Sequence, residues 1–329
     1  MKRAAWVSFG VLLMFCLACA GLVSPDTPID PGDTTPIVVE VPKGSTPGSI
    51  AGLALEHGFI GSELEWKAYV RTKDLSCLKA GRFEVRRSMS LNEFAETLCG
   101  PPLTNEFTFT VLEGWRIRDT DAALAAEGLI KPGAYADLAF NKKVEAPFPI
   151  EGTTLEGYLW PETYRLNADG FEPSQLIQRQ LATFKKRFLD SHTDYGKRTL
   201  HEIVTMASML EREEPKPSNR PLVAGILWKR IDRSIPLGVD ATSRYELEKW
   251  NDRKAFLARL RNKSDPYNSR YIEGLPPTPI GAPTLPSLTA AMNPTPTNAL
   301  YYLHDHEGNL HPARNGEEHE ANRKRYNVY

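Results

Sequence analysis

The amino-acid sequence predicts an α+β protein that consists of an N-terminal transmembrane helix, a small α+β module and a larger α+β domain. Three observations lead to this fold class. A long apolar run opens the chain, isolated β-branched strands alternate with helical repeats after it, and the length of 329 residues suits two domains. With 41% hydrophobic and 25% charged residues the chain can bury a sizeable core, which excludes a globally disordered protein.

Residues 1–23 are predicted to form a cytoplasmic tip and a transmembrane anchor. Lys2 and Arg3 precede the apolar run Ala4–Val23, and twenty helical residues span roughly 30 Å, the thickness of a bilayer's hydrocarbon core. Because the basic residues precede the apolar run, the positive-inside rule predicts that the short N-terminal end stays in the cytoplasm and that everything after Val23 is exported. A cleaved signal peptide and a lipidated Cys19 are the alternatives, and both also export the chain.

Residues 24–36 are predicted to form a semi-extended tether, because four prolines alternate with aspartates and nothing in the segment can build a core. Export of the chain would also determine whether its cysteines can form a disulfide. Cys77 and Cys99 would lie in a compartment that permits a disulfide, and two small buried thiols are the equally open alternative.

Residues 37–103 are predicted to form the small module. The pattern is a strand at Ile37–Pro42, helices at Ser45–His57 and Ser62–Arg71, a strand at Gly81–Val85 and a helix at Ser90–Cys99 that opens with a capping box. This order of elements resembles a LysM-type glycan-binding module. A small α+β domain that only spaces or dimerises remains the alternative.

Residues 104–329 are predicted to form the larger domain, which opens with the alternating strand Phe107–Val111. Apolar residues at helical spacing predict a helix from Leu200 onward. At about 100° per residue Glu211 falls inside the apolar stripe of this helix, whereas Glu213 lies roughly 200° away from it. An inward carboxyl group is either paired with a cation or kept protonated, and a protonated one can serve as a general acid.

Charge and composition exclude several classes of function. Lys and Arg number 40 against 41 Asp and Glu, so bulk electrostatics do not hold the chain on nucleic acid, and we expect no nucleic-acid partner. Four cysteines are too few for an ordinary Cys₄ zinc site. His304 and His306 have the spacing of one strand face, but no further motif completes a metal site. We therefore expect neither a metal nor another cofactor.

Several motifs in order resemble those of the endolytic murein transglycosylases, the YceG-like family of bacterial cell-wall enzymes. The similarity covers most of residues 37–329. Its blocks are Leu112–Trp115, Leu155–Tyr164, Ala207–Glu213, Pro236–Thr242, Pro266–Ser269, Gly274–Ile280, Asn293–Pro294 and Leu300–Tyr302. Three positions depart from the usual pattern: Ala241 replaces a proline, Arg270 replaces a tyrosine, and the block around Gly308–Pro312 differs.

The resemblance implies cleavage of the β-1,4 bond between N-acetylmuramic acid and N-acetylglucosamine in nascent peptidoglycan, with formation of 1,6-anhydro ends. Such cleavage would limit the length of glycan strands. The family's catalytic glutamate corresponds to Glu211, which would act first as acid and then as base. Asp240, Tyr245, Tyr267 and Asn268 match motif positions that we expect to line the cleft, with ordinary core packing as the alternative for the two tyrosines. Glu213 is assigned to the substrate side, with a structural salt bridge or an edge contact as the alternative.

The resemblance also implies a location and partners. The protein is expected to cross the bacterial cytoplasmic (inner) membrane once, with its catalytic domain on the periplasmic or extracellular side. Glycan strands of peptidoglycan are the expected substrate, and peptidoglycan synthases are the implied protein partners. Two other functions stay open at this point: a muramidase that hydrolyses the same bond with two carboxylates, and a non-catalytic scaffold that binds peptidoglycan.

Overall fold

The computed structural model describes residues 24–328, so the predicted membrane anchor at residues 1–23 lies outside the described residues. Among residues 24–328, no helix has both the length and the apolar character that crossing a bilayer requires. The chain divides into two compact units between Asn105 and Glu106, called unit one and unit two below.

Unit one, over its described residues 24–105, is a two-stranded antiparallel sheet covered by three α-helices. Its elements are β1 (Pro36–Val41), α1 (Ile50–Glu56), α2 (Glu63–Thr72), β2 (Gly81–Arg86) and α3 (Leu91–Cys99), with a 3₁₀ turn at Pro47–Ser49 before α1. Strand β1 pairs with β2 so that Val39 lies opposite Phe83. The predicted order of strands and helices is confirmed, with element ends shifted by a few residues.

The core of unit one is aromatic. Phe59 stacks on Phe94 with ring centroids 4.2 Å apart, and the edge of Trp66 meets the same ring at 6.1 Å. The structure also contains the disulfide between Cys77 and Cys99, which decides between the two alternatives that the sequence left open. It ties the end of α3 to the loop that precedes β2.

The segment at residues 24–36, which the sequence predicts to be a semi-extended tether, follows a different course. It bends in turns, and its backbone is hydrogen bonded to unit one: Asn92 N–H donates to the Pro25 carbonyl at 3.0 Å, and Ser88 N–H donates to the Asp33 carbonyl at 2.9 Å. Prolines and aspartates favour turns as well as extended chain, so composition alone does not distinguish the two.

Unit two contains two short two-stranded sheets and nine α-helices among its described residues. The strands are β3 (Glu106–Thr110) with β4 (Thr163–Asn167), and β5 (Tyr301–His304) with β6 (Leu310–Ala313), both pairs antiparallel. The helices are α4 (Ile117–Ala126), α5 (Ala134–Phe140), α6 (Pro173–Arg187), α7 (Leu200–Glu213), α8 (Arg220–Ile231), α9 (Asp240–Arg244), α10 (Arg253–Leu260), α11 (Leu285–Met292) and α12 (Gly316–Arg325).

Helix α7 is the central element of unit two. Thr199 and Glu202 form a reciprocal capping box at its start, and Pro215 follows shortly after its end. Every residue from Ile203 to Leu210 is buried, and α8 and α11 pack against it. A helix buried all round in this way holds its last turn in a defined position, and that turn carries Glu211 and Glu213.

Candidate active site

A cavity of about 480 Å³ lies beside the last turn of α7. Its lining combines one acid, two arginines, one histidine and two tyrosines with a short loop: Glu213, Arg230, Arg270, His319, Tyr301, Tyr302 and the loop Pro236–Gly238. These residues come from α7, α8, β5, α12 and two loops. Residues far apart in the sequence therefore meet around one carboxyl group.

Glu213 is the last residue of α7, and its carboxyl group is largely withdrawn from water. This loss of hydration, reinforced by the negative charge of Asp240, raises the pKa of Glu213 to about 7. The Tyr302 hydroxyl donates a hydrogen bond to Glu213, and burial beside that carboxyl group raises the pKa of Tyr302 well above its ordinary value. A carboxyl group that is about half protonated at neutral pH and borders a cavity can act as a general acid and as a general base.

Arg230 holds two walls of the cavity together. Its Nε and Nη2 donate to the Pro236 carbonyl at 2.9 and 2.5 Å, and its Nη1 donates to the Leu300 carbonyl at 2.8 Å. The backbone turns at Gly238, where φ is +66°, a conformation that favours glycine. The guanidinium thus fixes the loop before α9 and the entry into β5, which carries Tyr302.

Glu211 has a different environment from the one that the sequence predicts. Its Oε1 lies 3.0 Å from Nη2 of Arg220, and its Oε2 accepts from Nη1 of Arg220 at 3.2 Å. The Thr284 backbone N–H and hydroxyl donate to the same Oε2 at 2.8 and 2.6 Å. Only 3% of this side chain is exposed. Because donors surround both oxygens, Glu211 joins the starts of α8 and α11 to α7, and its role as the acid stays a prediction.

Asp240 and Asn268, both expected to line the cleft, lie in different environments. Asp240 does not line the cavity but is paired with Arg270, which does, and its charge acts on Glu213. Asn268 is 0% exposed and donates its amide to the carbonyls of Arg259, Leu260 and Asn262. It therefore closes a loop and does not line the cavity beside Glu213, and its place in the substrate cleft stays a prediction.

Tyr245 and Tyr267 also belong to the core. Their rings pack together with centroids 4.9 Å apart, the Tyr245 hydroxyl donates to Glu156 at 3.0 Å, and the Tyr267 hydroxyl is 2.9 Å from the Thr278 hydroxyl. Neither ring lines the cavity beside Glu213. This packing agrees with the alternative that the sequence left open for both tyrosines, and their contact with sugar stays a prediction.

A second acid of unit two has a similarly shifted pKa. Burial raises the pKa of Glu156 to about 7. Hydrogen bonds from the Ile117 backbone N–H and the Tyr245 hydroxyl lower this pKa, but their effect is smaller than that of burial. Glu156 is buried in the core, however, and does not line the cavity beside Glu213. Access to a cavity, more than the shifted pKa, distinguishes Glu213 from Glu156.

A larger cavity of about 540 Å³ lies elsewhere in unit two, at the other end of α7. Its acid, Asp232, is held by Lys197 at 2.8 Å and by Arg198 at 2.5 Å, and Arg198 lies over the ring of Trp228. A carboxylate shared between two cations offers no proton to a substrate. The smaller cavity beside Glu213 is therefore the better candidate for acid–base chemistry.

The histidines of β5 and its neighbouring loop do not converge on one point. His304 Nε2 lies 2.8 Å from Glu214, which is fully buried, whereas His306 contacts the Asn327 carbonyl at 3.2 Å. Within the part of the chain that the structure describes, no group of three or more His, Cys, Asp or Glu could hold a metal ion. The pair of Glu214 and His304 instead anchors the chain just after Glu213.

Sequence reasoning missed Arg230, Tyr302 and His319 as residues of the site. Tyr302 stands in a block that carried the family resemblance, so the signal was present without a role attached to it. Arg230 and His319 lie on helices in which nothing distinguishes them from surface cations and imidazoles. Only the tertiary fold brings them to the cavity.

Comparison with known proteins agrees with this fold. The sequence profile of the YceG-like family matches residues 39–325. Two relatives carry the name endolytic murein transglycosylase. One, from Bacillus subtilis strain 168, is 26% identical over 91% of this chain and 87% of its own length. The other, from Streptococcus pneumoniae serotype 2, is 27% identical over 90% of this chain and 59% of its own length.

A solved structure also resembles the chain. A YceG-like protein from Listeria monocytogenes superposes with a TM-score of 0.54 at 22% identity, over 87% of this chain and 99% of that protein. At this identity the likeness concerns the fold. Since the family profile spans both units, the chain belongs to the YceG-like family.

Proposed function

We propose that the protein is an endolytic murein transglycosylase, a lyase that cuts peptidoglycan between N-acetylmuramic acid and N-acetylglucosamine. Membership of the YceG-like family and the names of the two relatives support this activity. The observation that carries the proposal is the carboxyl group of Glu213, which borders a cavity and has a pKa raised to about 7. Glu213, and not Glu211, is the proposed acid.

In the proposed reaction Glu213 acts twice. As an acid it gives its proton to the glycosidic oxygen, and the bond between that oxygen and the anomeric carbon of the muramic residue breaks. As a base it then takes the proton of the muramoyl C6 hydroxyl, whose oxygen closes the 1,6-anhydro ring on the same carbon. No water is consumed, and Glu213 ends protonated as it began. A pKa near ambient pH suits a group that must both give and take a proton.

Tyr302 is the proposed positioning residue for this carboxyl group. Its hydroxyl donates to Glu213 and, with a pKa well above the ordinary value, keeps its proton throughout the working pH range. The phenol thereby orients the carboxyl group of Glu213, which exchanges a proton with the sugar in the proposed reaction. The desolvated site also strengthens each of these contacts relative to water.

Hydrolysis is the alternative chemistry, and Asp240 is the residue that would make it possible. A muramidase needs a second carboxylate to activate water or to act as nucleophile. Asp240 acts electrostatically on Glu213, but its Oδ1 accepts from both Nε and Nη2 of Arg270 at 3.0 and 2.8 Å. Asp240 also does not line the cavity beside Glu213, which favours the lytic route, in which one carboxyl group suffices.

The location outside the cytoplasm is also part of the proposal. Residues 4–23 would anchor the chain in the bacterial cytoplasmic membrane, with both units on the outer side. The disulfide between Cys77 and Cys99 supports export, because such bonds persist mainly in oxidising compartments. Within unit one, the order β1, α1, α2, β2 supports a LysM-like glycan-binding role. Control of strand length and proximity to peptidoglycan synthases complete the proposal.

The experiment is the digestion of purified peptidoglycan by the full chain, with matched variants E211Q and E213Q. The proposal expects 1,6-anhydro products from the wild type and almost none from E213Q. Hydrated reducing ends alone would assign the protein to the muramidases. If wild type and E213Q both bound glycan and neither cleaved it, the protein would be a scaffold.

A further inference from the structure

The cavity beside Glu213 carries more positive than negative charge when that residue is protonated. Arg230 makes its hydrogen bonds to backbone carbonyls, and among residues 24–328 it has no carboxylate partner that would neutralise it. Arg270 lines the cavity and has one such partner, Asp240. Burial lowers the pKa of His319, so this imidazole adds no lasting charge.

Arg270 is held in a way that leaves part of its guanidinium available. Its Nε and Nη2 both donate to a single oxygen of Asp240, and Nη1 has no hydrogen-bond partner in the described part of the chain. The two side chains are 48% and 42% exposed, and an ion pair with this much solvent access is weak. A second carboxylate can therefore bind to Arg270 without breaking a buried contact.

We propose that Arg270 is a specificity-determining residue that binds a carboxylate of the glycan strand beside the bond to be cleaved. This inference rests on the proposed function and names the substrate class: strands whose muramic residues carry a free carboxylate in reach of the cavity. Arg270 orients the strand, and the unneutralised charge of Arg230 adds to the attraction. The planar guanidinium suits such recognition, since it presents several donors to a carboxylate at once.

The chemistry of the strand leaves two sources for this carboxylate. The sugar rings and their acetamido groups are uncharged. A muramic residue without a peptide has a free lactyl carboxylate, whereas one with a peptide has carboxylates only along that peptide. A cation at the edge of the cavity is placed for either source, so the test must separate them.

The test compares cleavage rates of the full chain on two strand preparations, each before and after conversion of its carboxyl groups to methylamides. One preparation keeps its peptides, and the other is stripped of them by an amidase. Wild type is expected to favour the carboxylate form by roughly tenfold, a reasonable size for one charge-assisted contact at a partly exposed site. The preparation that shows this preference identifies the source.

The variant R270Q is expected to lose the preference, so that the ratio of its rates on the two forms falls to about one. The matched control is R165Q, which removes an arginine that is 74% exposed and also paired, with Glu106, but lies outside the cavity. It should keep the wild-type ratio. Unchanged melting temperatures would show that all variants fold. An R270Q variant with the wild-type ratio, or a wild type indifferent to amidation, would overturn the inference.

Failure of the proposed function has a separate signature, which is a wild type that cleaves none of the preparations. Binding then decides the role of Arg270 without any turnover. Soluble strand fragments, free and methylamidated, are titrated into E213Q and into the double variant with R270Q. Tenfold tighter binding of free fragments that disappears with R270Q supports the inference, and equal binding by both variants contradicts it.

Discussion

Replacing Glu211 by Gln tests whether this residue is structural, as its contacts indicate. The change keeps an oxygen that can accept from Thr284, but it turns an amide towards Arg220 and removes the negative charge beside that guanidinium. Arg220 is almost fully buried and also donates to the Glu214 carbonyl at 3.0 Å. The variant therefore leaves a buried cation without its counter-ion.

The size of the effect follows from this burial. Breaking a buried ion pair by removing one partner destabilises a protein by about 3–5 kcal/mol. Unit two, Glu106–Tyr329, falls in the size range in which 1 kcal/mol shifts the melting temperature by about 2–4 °C. We expect the melting temperature of E211Q to fall by roughly 6–20 °C. The retained acceptor for Thr284 points to the lower half of that range.

The assay is a thermal melt of E211Q and E213Q, paired with a cleavage assay well below both melting temperatures. E213Q carries the same substitution two positions further along α7 and should melt no lower than the wild type, yet lose about 10²–10⁴ in rate. E211Q should melt early and retain cleavage. A normally folded but inactive E211Q, together with an active E213Q, would refute the reasoning and restore Glu211 as the acid.

Three further predictions concern pH, packing and the disulfide. In the proposed reaction the acid form of Glu213 starts the cleavage, and its pKa is about 7. In a pH–rate profile, kcat/KM should therefore fall about tenfold for each pH unit above that value. A flat profile up to pH 9 would contradict this role. A Cβ on Gly225 would lie 2.1 Å from the Thr295 carbonyl oxygen. The variant G225A should therefore lower the free energy of unfolding by about 1–3 kcal/mol in denaturant titrations. An unchanged midpoint would contradict this close packing. Replacing Cys77 and Cys99 by Ser should destabilise unit one by about 2–4 kcal/mol, measured by its urea midpoint, and no shift would mean that the bond is not formed.

The raised pKa of Glu213 also gives the sign of a stability effect. The carboxyl group ionises near pH 4.5 in the unfolded chain and near pH 7 in the folded one, so the folded state binds more protons between these values. The stability of the wild type should therefore decline as pH rises through this window, and the decline is complete above pH 7. Gln at this position does not ionise, so E213Q should melt above the wild type at pH 8 and near it at pH 4.

Much of the fold could be predicted because it depends on local signals. The capping boxes at Ser90 and Thr199 mark the starts of α3 and α7, and alternation marks β3. The inward direction of Glu211 also followed from helical periodicity. Its partners did not, because Thr284 is 73 residues away and nothing in the sequence joins it to α7.

The proposed acid, Glu213, could not be chosen from periodicity. The helical wheel identifies Glu211 as an unusual inward carboxyl group. In the structure, an inward position near the end of α7 faces α8 and α11. The opposite flank of α7, which carries Glu213, borders the cavity. Asn268 shows a similar ambiguity. Its amide suits a sugar, yet it serves three backbone carbonyls of its own loop. The residue type determines which contacts a side chain can make, and the tertiary fold determines whether that side chain lines a cavity or packs in the core.

The most direct test of the central claim is mass spectrometry of the strand ends that the full chain produces from purified peptidoglycan. With Glu213 as the sole acid and base, wild type should yield muramic ends lighter than hydrated ends by one water molecule, and E213Q should yield almost none. Hydrated ends from the wild type, or undiminished anhydro ends from E213Q, would contradict the account.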